Sequence, residues 1–510
     1  MVTKEIKTEN HIKTSTKGRF WRVLFGVICS ALNLFALLLF FSATWYIKLY
    51  GNTGFDSVLF TLLSNMGGVS PELIVSFILG SILPTVLLGA MLIFLVYFLK
   101  IKKAWFGKIK YWHKTVVCLL LAFLFFVLAG TKVNIFGYIH KIMLQTTLYD
   151  DYYVAPSKEN IKFPEKKRNL VYIFLESMET TYMSQKEGGA LDTNVIPELT
   201  ELSKENINFS HNSSVGGFYN PTGTTWTVAG MVAQTSGIPL KGSAGVLENN
   251  EYGKDAFLPG VTTLSDILHE NGYTQALMVG SESSFANRDV YYKNHQTDVI
   301  FDLNTAKKDG VVPDDYYVWW GMEDFYLFDY AKDKLTEMAE GNEPFALTLL
   351  TVDTHFQDGY VCKLCENEHK EQYENVLSCA SHQVDAFVEW LKKQSFYENT
   401  TVILCGDHLT MDNWYIERNV DKAYERYTYN CFINAAQETA YDKNRTFTSL
   451  DLFPTTLAAM GCEIKGERLG LGTNLFSGKP TLAEEMGYDT FNHNLLYSSK
   501  YYIQEFMVAK

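Results

Sequence analysis

Proline is scarce in this 510-residue chain, with 12 copies, and charged residues make up only 20% against 47% hydrophobic. A disordered chain needs the opposite balance, so this one folds. Acidic residues are nearly missing from the first 137 positions, which hold 4 Asp/Glu against 14 Lys/Arg, a net of +10. The remainder is short of positive charge: with −13 overall, residues 138–510 must carry −23. That deficit argues against a nucleic-acid-binding surface, whose affinity comes mainly from Lys and Arg on phosphates. A basic, very apolar front joined to an acidic back reads as a membrane anchor followed by a globular domain.

Three long apolar runs lie in the front, at about Val23–Ile47, Leu73–Leu99 and Thr115–Phe136. As a helix, each can cross a hydrocarbon core of about 30 Å, and Pro84 is expected to kink the second. A signal peptide fits poorly, because the first run is too long and two more follow. Basic residues set the orientation. Lys4, Lys7, Lys13, Lys17, Arg19 and Arg22 precede the first run, and Lys100, Lys102, Lys103, Lys108, Lys110 and Lys114 separate the second from the third. The loop between Lys48 and Glu72 has only Lys48. This places the N-terminus and the second loop in the cytoplasm and everything after the third run outside. Phe55–Met66 is too short to span and is expected in the membrane interface. Residues 1–137 are thus an anchor of three transmembrane helices. Residues 138–168, with Tyr149-Asp-Asp-Tyr-Tyr and Lys166-Lys167-Arg168, read as a solvated linker, and 169–510 as the extracytoplasmic domain.

From Asn169 onward, short β-branched or apolar runs alternate with longer amphipathic stretches, the pattern of a largely parallel sheet flanked by helices. Four runs end at chemistry-bearing residues. Leu170-Val-Tyr-Ile-Phe-Leu ends at Glu176, and Gln275-Ala-Leu-Met-Val leads through Gly280 to Arg288. Phe345-Ala-Leu-Thr-Leu-Leu-Thr-Val ends at Asp353-Thr-His355, and Thr400-Thr-Val-Ile-Leu ends at Gly406-Asp407-His408. Ligands of open α/β sheets bind beyond the carboxyl ends of the strands. Singly, Glu176 reads as a helix cap or loop residue and His355 as a core histidine; four such ends together point to one site. Asp407-His408 offers a carboxylate and an imidazole, which suit Mn²⁺, Zn²⁺ or similar ions. Pro221-Thr-Gly-Thr-Thr-Trp-Thr precedes an expected helix beginning near Val228. A hydroxyl there would meet an incoming phosphate at a helix N-terminus, and a metal would help deprotonate it. Physical reasoning alone leaves Thr222, Thr224, Thr225 and Thr227 open.

At these residues the chain resembles the phosphoglycerol transferases of the alkaline phosphatase/sulfatase superfamily, which include lipoteichoic acid synthase and the osmoregulated periplasmic glucan phosphoglycerol transferase. The likeness is carried by Leu175-Glu-Ser-Met-Glu-Thr-Thr-Tyr, Trp226-Thr-Val-Ala-Gly-Met-Val-Ala, Gly237-Ile-Pro-Leu, Thr351-Val-Asp-Thr-His and Asp407-His-Leu-Thr-Met-Asp-Asn. Leu469-Gly-Leu-Gly-Thr-Asn-Leu-Phe-Ser-Gly fits as well, and the matches run in order from about 150 to 480. The resemblance implies an alkaline-phosphatase/sulfatase-like α/β fold, with a mainly parallel sheet flanked by helices behind a three-helix transmembrane region. It implies one divalent ion, Mn²⁺ ahead of Mg²⁺ or Zn²⁺, held by Glu176, Thr224, Asp407 and His408. Thr224, seven residues before Met231, is the implied nucleophile, with Thr225 as the fallback. His355 matches a histidine that contacts the phosphate or donates a proton, and Arg288 a phosphate-contacting arginine suited to bidentate binding. The tryptophan that lipoteichoic acid synthase carries two residues before this arginine is Ala286 here, which argues against an identical glycerol pocket. Lys293 and His295 are open to two readings, further phosphate contacts or solvated surface, of which the second is favoured for each.

The implied reaction moves glycerol phosphate from phosphatidylglycerol, through a phospho-threonine, to a cell-envelope glycan or a teichoic-acid-like polyol-phosphate polymer. The location implied is a bacterial cell membrane, where the anchor holds the site near its lipid donor. Three spans rather than the five typical of lipoteichoic acid synthase favour decoration over polymerisation. Competing readings are a phosphoethanolamine transferase, a hydrolytic phosphatase or sulfatase, and a non-catalytic binding protein. No Cys/Ser-x-Pro-x-Arg maturation motif surrounds Thr224, which weakens the sulfatase reading, and the intact residue set argues against a decayed site. Of eight cysteines, Cys29 and Cys118 read as packing residues in the spans and Cys405 as a buried free thiol. Cys362, Cys365 and Cys379 lie near His369 and His382 and fit either a structural zinc site or a disulfide. The cysteines of related transferases favour a disulfide joining Cys379 to Cys362 or Cys365. A tag placed after Lys510 is expected to be reached by an impermeant reagent on intact cells; protection there would reverse the topology.

Overall fold

The computed structural model describes residues 2–51, 55–63, 69, 71–101, 111–241 and 256–508. It divides into two compact units, Met1–Asn52 with Pro71–Gly137, and Thr53–Ser70 with Tyr138–Lys510. In the first, three helices are long and apolar enough to cross a membrane: Phe20–Tyr50, Pro71–Leu95 and Trp112–Lys132. Their outward residues are large and apolar, as in Phe94, Leu120 and Phe123, each more than half exposed. Polar ties between them are few and short, Asn33 Nδ2 donating to the Cys118 carbonyl at 3.0 Å and Trp45 Nε1 to Ser76 Oγ at 2.9 Å. Such bonds help hold helices together where no hydrophobic drive exists. Ahead of Pro84 the helix widens into a π-turn, Ile78–Ile82, because the proline ring removes one backbone donor and crowds the preceding turn. The Thr85 hydroxyl bonds the Ser81 carbonyl at 2.7 Å. The third helix stops at Lys132, short of the expected Phe136, and Asn134 turns left-handed before the next helix, Ile135–Met143.

The second unit is built on a seven-stranded sheet. Its strands, with two outlying ones, are β1 (Ile161–Lys162), β2 (Asn169–Leu175), β3 (Gly217–Phe218), β4 (Thr274–Val279), β5 (Val299–Phe301), β6 (Phe345–Leu350), β7 (Thr400–Gly406), β8 (Thr428–Ile433) and β9 (Glu463–Ile464). The sheet order is β3-β8-β7-β2-β6-β4-β5, with β7, β2, β6, β4 and β5 parallel and β8 antiparallel to β7. The mainly parallel sheet flanked by helices is therefore the fold, as expected. All seven residues of β2 are buried. Leu170, Tyr172 and Phe174 enter one core with Met231, Leu452 and Phe453, while Val171, Ile173 and Leu175 enter the other with Leu327, Leu377 and Val384. A sheet covered on both faces demands such unbroken apolar strands.

Two stretches differ from expectation. Residues 138–168 are not a solvated connector: Leu148 and Tyr149 are buried in the core, and β1 pairs with β9. Helix Phe55–Leu63, expected in the membrane interface, belongs to the second unit, where buried Phe60 packs on Trp226 with ring centroids 5.6 Å apart. In both stretches an aromatic side chain, Tyr149 in the first and Phe60 in the second, is buried in the apolar core.

Helix Thr227–Ser236 runs close against the end of β7. A Cβ on Gly230 would lie 2.3 Å from the Asp407 carbonyl oxygen, so only glycine permits this approach. One turn on, Gln234 Nε2 donates to the Gly406 carbonyl at 2.9 Å, and the Tyr172 hydroxyl holds its Oε1 at 2.8 Å. Gly230→Ala is expected to cost about 1–3 kcal/mol through overpacking, read by denaturant unfolding. Unaltered stability would show that helix and strand separate freely.

Candidate active site and metal centre

Because β4, β6, β2 and β7 are parallel neighbours, their carboxyl ends share one edge of the sheet. Leu175 pairs with Gly406 in register, so the next residues, Glu176 and Asp407, emerge side by side. Both are buried. Ser177 joins them: it is left-handed (φ 55°), its N–H donates to Asp407 Oδ1 at 2.8 Å, and its hydroxyl donates to Glu176 Oε1 at 2.8 Å. A non-glycine residue in that conformation is strained, and such strain collects at functional sites.

His408 completes the cluster. Its Nδ1 lies 2.8 Å from the Leu409 carbonyl, which can only accept, so Nδ1 carries the proton and Nε2 presents its lone pair. Nε2 is 3.3 Å from Asp407 Oδ2 and 3.8 Å from Glu176 Oε1. One ligand atom from each of Glu176, Asp407 and His408 falls within 4.8 Å of the others. Asp407 Oδ2 is buried with no hydrogen-bond partner. Two carboxylates and an imidazole converging on an orphaned oxygen fit one divalent cation. Burial, with the Glu176 charge adding to it, pushes the Asp407 carboxyl up to about 7. Burial opposes ionisation of Glu176 too, but His355 and His408 outweigh it and hold that carboxyl below its ordinary value. His408 is raised, because Asp407 and Glu176 outweigh its own burial.

Of the candidate threonines, Thr227 has the hydroxyl that contacts this cluster. Thr227 Oγ1 lies 3.3 Å from Glu176 Oε2 and 3.3 Å from His408 Nε2, at the first residue of its helix. Thr224 is fully buried, and its hydroxyl donates to the Pro221 carbonyl at 2.8 Å. The resemblance points to Thr224, seven residues before Met231; in the structure the chain bends at left-handed Gly223 and the helix begins only after Trp226. Thr222 donates its N–H to Asn492.

His355 and Arg288 stand close enough to feel the Glu176 charge. His355 stacks between Trp320 and Phe356, and burial lowers its pKa despite Glu176. Its Nδ1 lies 2.9 Å from the Phe356 carbonyl, so the neutral ring leaves Nε2 as acceptor. Burial also lowers Arg288, to about 10. Its Nη2 donates to Ser281 Oγ at 2.8 Å and the Glu282 carbonyl at 2.9 Å, and Nε reaches the Phe285 carbonyl at 3.2 Å. Left-handed Ala286 and Asn287 set the turn that aims it.

Sequence reasoning missed the supports. Buried Glu179 accepts from Thr410 N–H at 2.6 Å and pairs with Arg426 through both oxygens, holding the loop after His408. Asp324 accepts from Val352 N–H at 2.7 Å and Asp353 N–H at 3.2 Å, fixing the turn that carries His355. Nothing local in the sequence marks either carboxylate, since their partners lie far along the chain. Lys293 is away from the site, paired with Asp289. His295 is buried rather than solvated, bonded to Asp266 at 2.8 Å and the Phe257 carbonyl at 3.1 Å. The expected disulfide is not formed: Cys362, Cys365 and Cys379 are free thiols that share one centre instead of pairing off.

The sulfatase family profile matches residues 168–462. The chain belongs to the sulfatase family. Phosphoglycerol transferase I of Escherichia coli (strain 55989 / EAEC) is 32% identical over 343 residues, 64% of this chain and 41% of that protein. The protein of that name from Escherichia fergusonii is 32% identical over 342 residues, with 64% and 41% covered. The chain thus spans 41% of the length of these relatives. Among solved structures, the lipoteichoic acid synthase LtaP from Listeria monocytogenes matches at 18% identity and TM-score 0.49, over 65% of this chain and 81% of that one. Lipooligosaccharide phosphoethanolamine transferase A from Neisseria meningitidis matches at 12% identity and TM-score 0.48, over 85% and 84%.

Protons compete with the cation for this cluster. With Asp407 raised to about 7 in the metal-free protein, divalent-ion affinity is expected to fall as pH drops through 7 and to level off above it. Asp407→Asn is expected to weaken binding at least tenfold and to flatten that dependence, both read by calorimetric titration.

Proposed function

We propose that the chain is a membrane-anchored, metal-dependent phosphotransferase that moves glycerol phosphate from phosphatidylglycerol to an extracytoplasmic glycan or polyol-phosphate acceptor. The observation that carries this reading is the Thr227 hydroxyl, seated at a helix N-terminus between Glu176 and His408. The 32% identity to phosphoglycerol transferase I supports phosphoglycerol as the group moved. Three apolar helices ahead of the sheet support a site held beside its lipid. On this reading residues 1–137 are the anchor, with the N-terminus cytoplasmic, and 169–510 are the catalytic region outside.

Glu176, Asp407 and His408 would hold the ion, Mn²⁺ ahead of Mg²⁺ or Zn²⁺, which when bound offsets phosphate charge and favours the Thr227 alkoxide. Thr227 Oγ attacks the phosphorus of the lipid, the bond from phosphorus to the diacylglycerol oxygen breaks, and the threonine proton ends on the departing diacylglycerol. A glycerophospho-Thr227 remains. The acceptor hydroxyl then attacks that phosphorus and loses its proton to His355 Nε2, the bond from phosphorus to the Thr227 oxygen breaks, and the proton passes from His355 to that oxygen. Arg288 and the first amides of helix Thr227–Ser236 stabilise the phosphoryl oxygens throughout. Trp320, packed on Phe285 and His355, supplies the aromatic wall that Ala286 does not.

The test is intact-protein mass spectrometry after incubation with Mn²⁺ and phosphatidylglycerol. A glycerophosphate adduct mapping to Thr227 is expected, with diacylglycerol released. Thr227→Ala should lose turnover by ~10³-fold or more, while Thr224→Ala keeps the adduct. An adduct formed only with phosphatidylethanolamine would reassign the donor; no adduct from either lipid would overturn the reading.

A further inference from the structure

A second cluster of metal-ligating side chains lies outside the catalytic residues. Cys362 Sγ is 3.7 Å from Cys365 Sγ and 3.8 Å from Cys379 Sγ, and the three sulfurs all lie within 4.8 Å of one another. Four sulfurs at about 2.3 Å around a tetrahedral zinc ion stand about 3.8 Å apart. A disulfide would bring two of them to about 2.0 Å and leave the third unused. Cys362 and Cys379 are buried and Cys365 half-buried.

The surroundings treat Cys362 and Cys379 as acceptors, as thiolates require. Leu364 N–H donates to Cys362 Sγ at 3.4 Å, and Gln383 Nε2 donates to Cys379 Sγ at 3.2 Å while reaching Cys362 Sγ at 3.9 Å. Cys365 N–H bonds the Cys362 carbonyl at 3.1 Å, closing the tight turn that lets both side chains of Cys-Lys-Leu-Cys point to one centre. Cys379 comes from helix Gln372–Leu391, and His382 follows one turn later on the same face. The spacing is Cys-x2-Cys followed by Cys-x2-His. His382 is three-quarters exposed, with Nδ1 3.7 Å from Glu198 Oε1, so its ring can swing without disturbing the core. A cavity of about 360 Å³ lined by Glu198, His369, Cys379 and His382 gives an ion a way in.

We propose that Cys362, Cys365 and Cys379 bind one structural zinc ion as thiolates, with His382 as the fourth ligand. Binding releases three thiol protons and ties the loop after His355 to helix Gln372–Leu391. That loop begins with the Phe356 carbonyl that fixes the His355 ring, and Asp358 N–H is anchored on Asp412 at 2.7 Å. From the helix, the Tyr373 hydroxyl bonds both the Thr354 carbonyl at 3.0 Å and Thr410 Oγ1 at 2.9 Å. The ion therefore braces two of the strand-end loops that build the active site, and its site is separate from the Glu176–Asp407–His408 cluster.

The full chain, purified in detergent, is tested with metal analysis, cobalt substitution and thiol mapping. Two equivalents of metal are expected, one lost in Asp407→Asn and the other in Cys379→Ser. The cobalt-loaded wild type should show thiolate-to-cobalt charge-transfer absorption that Asp407→Asn keeps, and His382→Ala should change its tetrahedral ligand-field bands. Cys362, Cys365 and Cys379 should resist alkylation until a chelator is added, a readout on the wild type that does not depend on a variant folding. A non-reduced peptide linking Cys379 to Cys362 or Cys365, or full alkylation without chelator, would overturn the site. Unchanged cobalt bands in His382→Ala would overturn the ligand set.

Discussion

Two carboxylates held side by side in a buried place repel each other and lose their hydration, and much of this structure follows from managing that conflict. Glu176 and Asp407 are neighbours because β2 and β7 pair in register up to their last residues. Neither has a Lys or Arg ion pair within 4 Å among the described residues; their near partner is the His408 imidazole. Glu179, three residues on and equally buried, shows the other solution, with Arg426 against both oxygens. One carboxylate is neutralised by the protein itself, whereas the pair at the strand ends keeps an oxygen without a partner, a place where a cation belongs.

Precision around that pair comes from groups that never touch a substrate. Ser177, in a strained conformation, donates to both carboxylates. Gly230 brings the helix carrying Thr227 onto the backbone of Asp407, and Gln234 locks it there. Asp324 and Glu179 secure the turns bearing His355 and His408. On the proposed reading the helix N-terminus, the cation and the nucleophile would act at one point in a water-poor setting, where aligned dipoles are worth more than in water.

The two units divide the work. The first offers the bilayer apolar helices with a few internal polar ties, and the second carries all the described chemistry. On the proposed reading, with the site outside the membrane, a lipid donor would suit this division, because no nucleotide pool is at hand there. A zinc-braced loop beside His355 would fit the same logic. It stiffens the wall of an open site with a crosslink that needs no larger core.

The apolar runs, their basic flanks and the four strand ends were legible in the sequence, because hydrophobic periodicity and charge act locally or over a single span. Glu176, Asp407 and His408 could be named since they directly follow apolar strands, and His355 and Arg288 since they lie in the segments that leave two more. The contact of the Thr227 hydroxyl with Glu176 and His408 could not be read, because it depends on where a loop turns at Gly223 and on which hydroxyl then faces two residues more than fifty positions away. The burial of Tyr149 and the pairing of Glu179 with Arg426 were hidden for the same reason. Composition and spacing determine which chemistry the chain carries and on which elements. Only the packing of parallel strand ends, where carboxylates, hydroxyls and thiols distant in sequence must be neutralised together, decides which atoms meet.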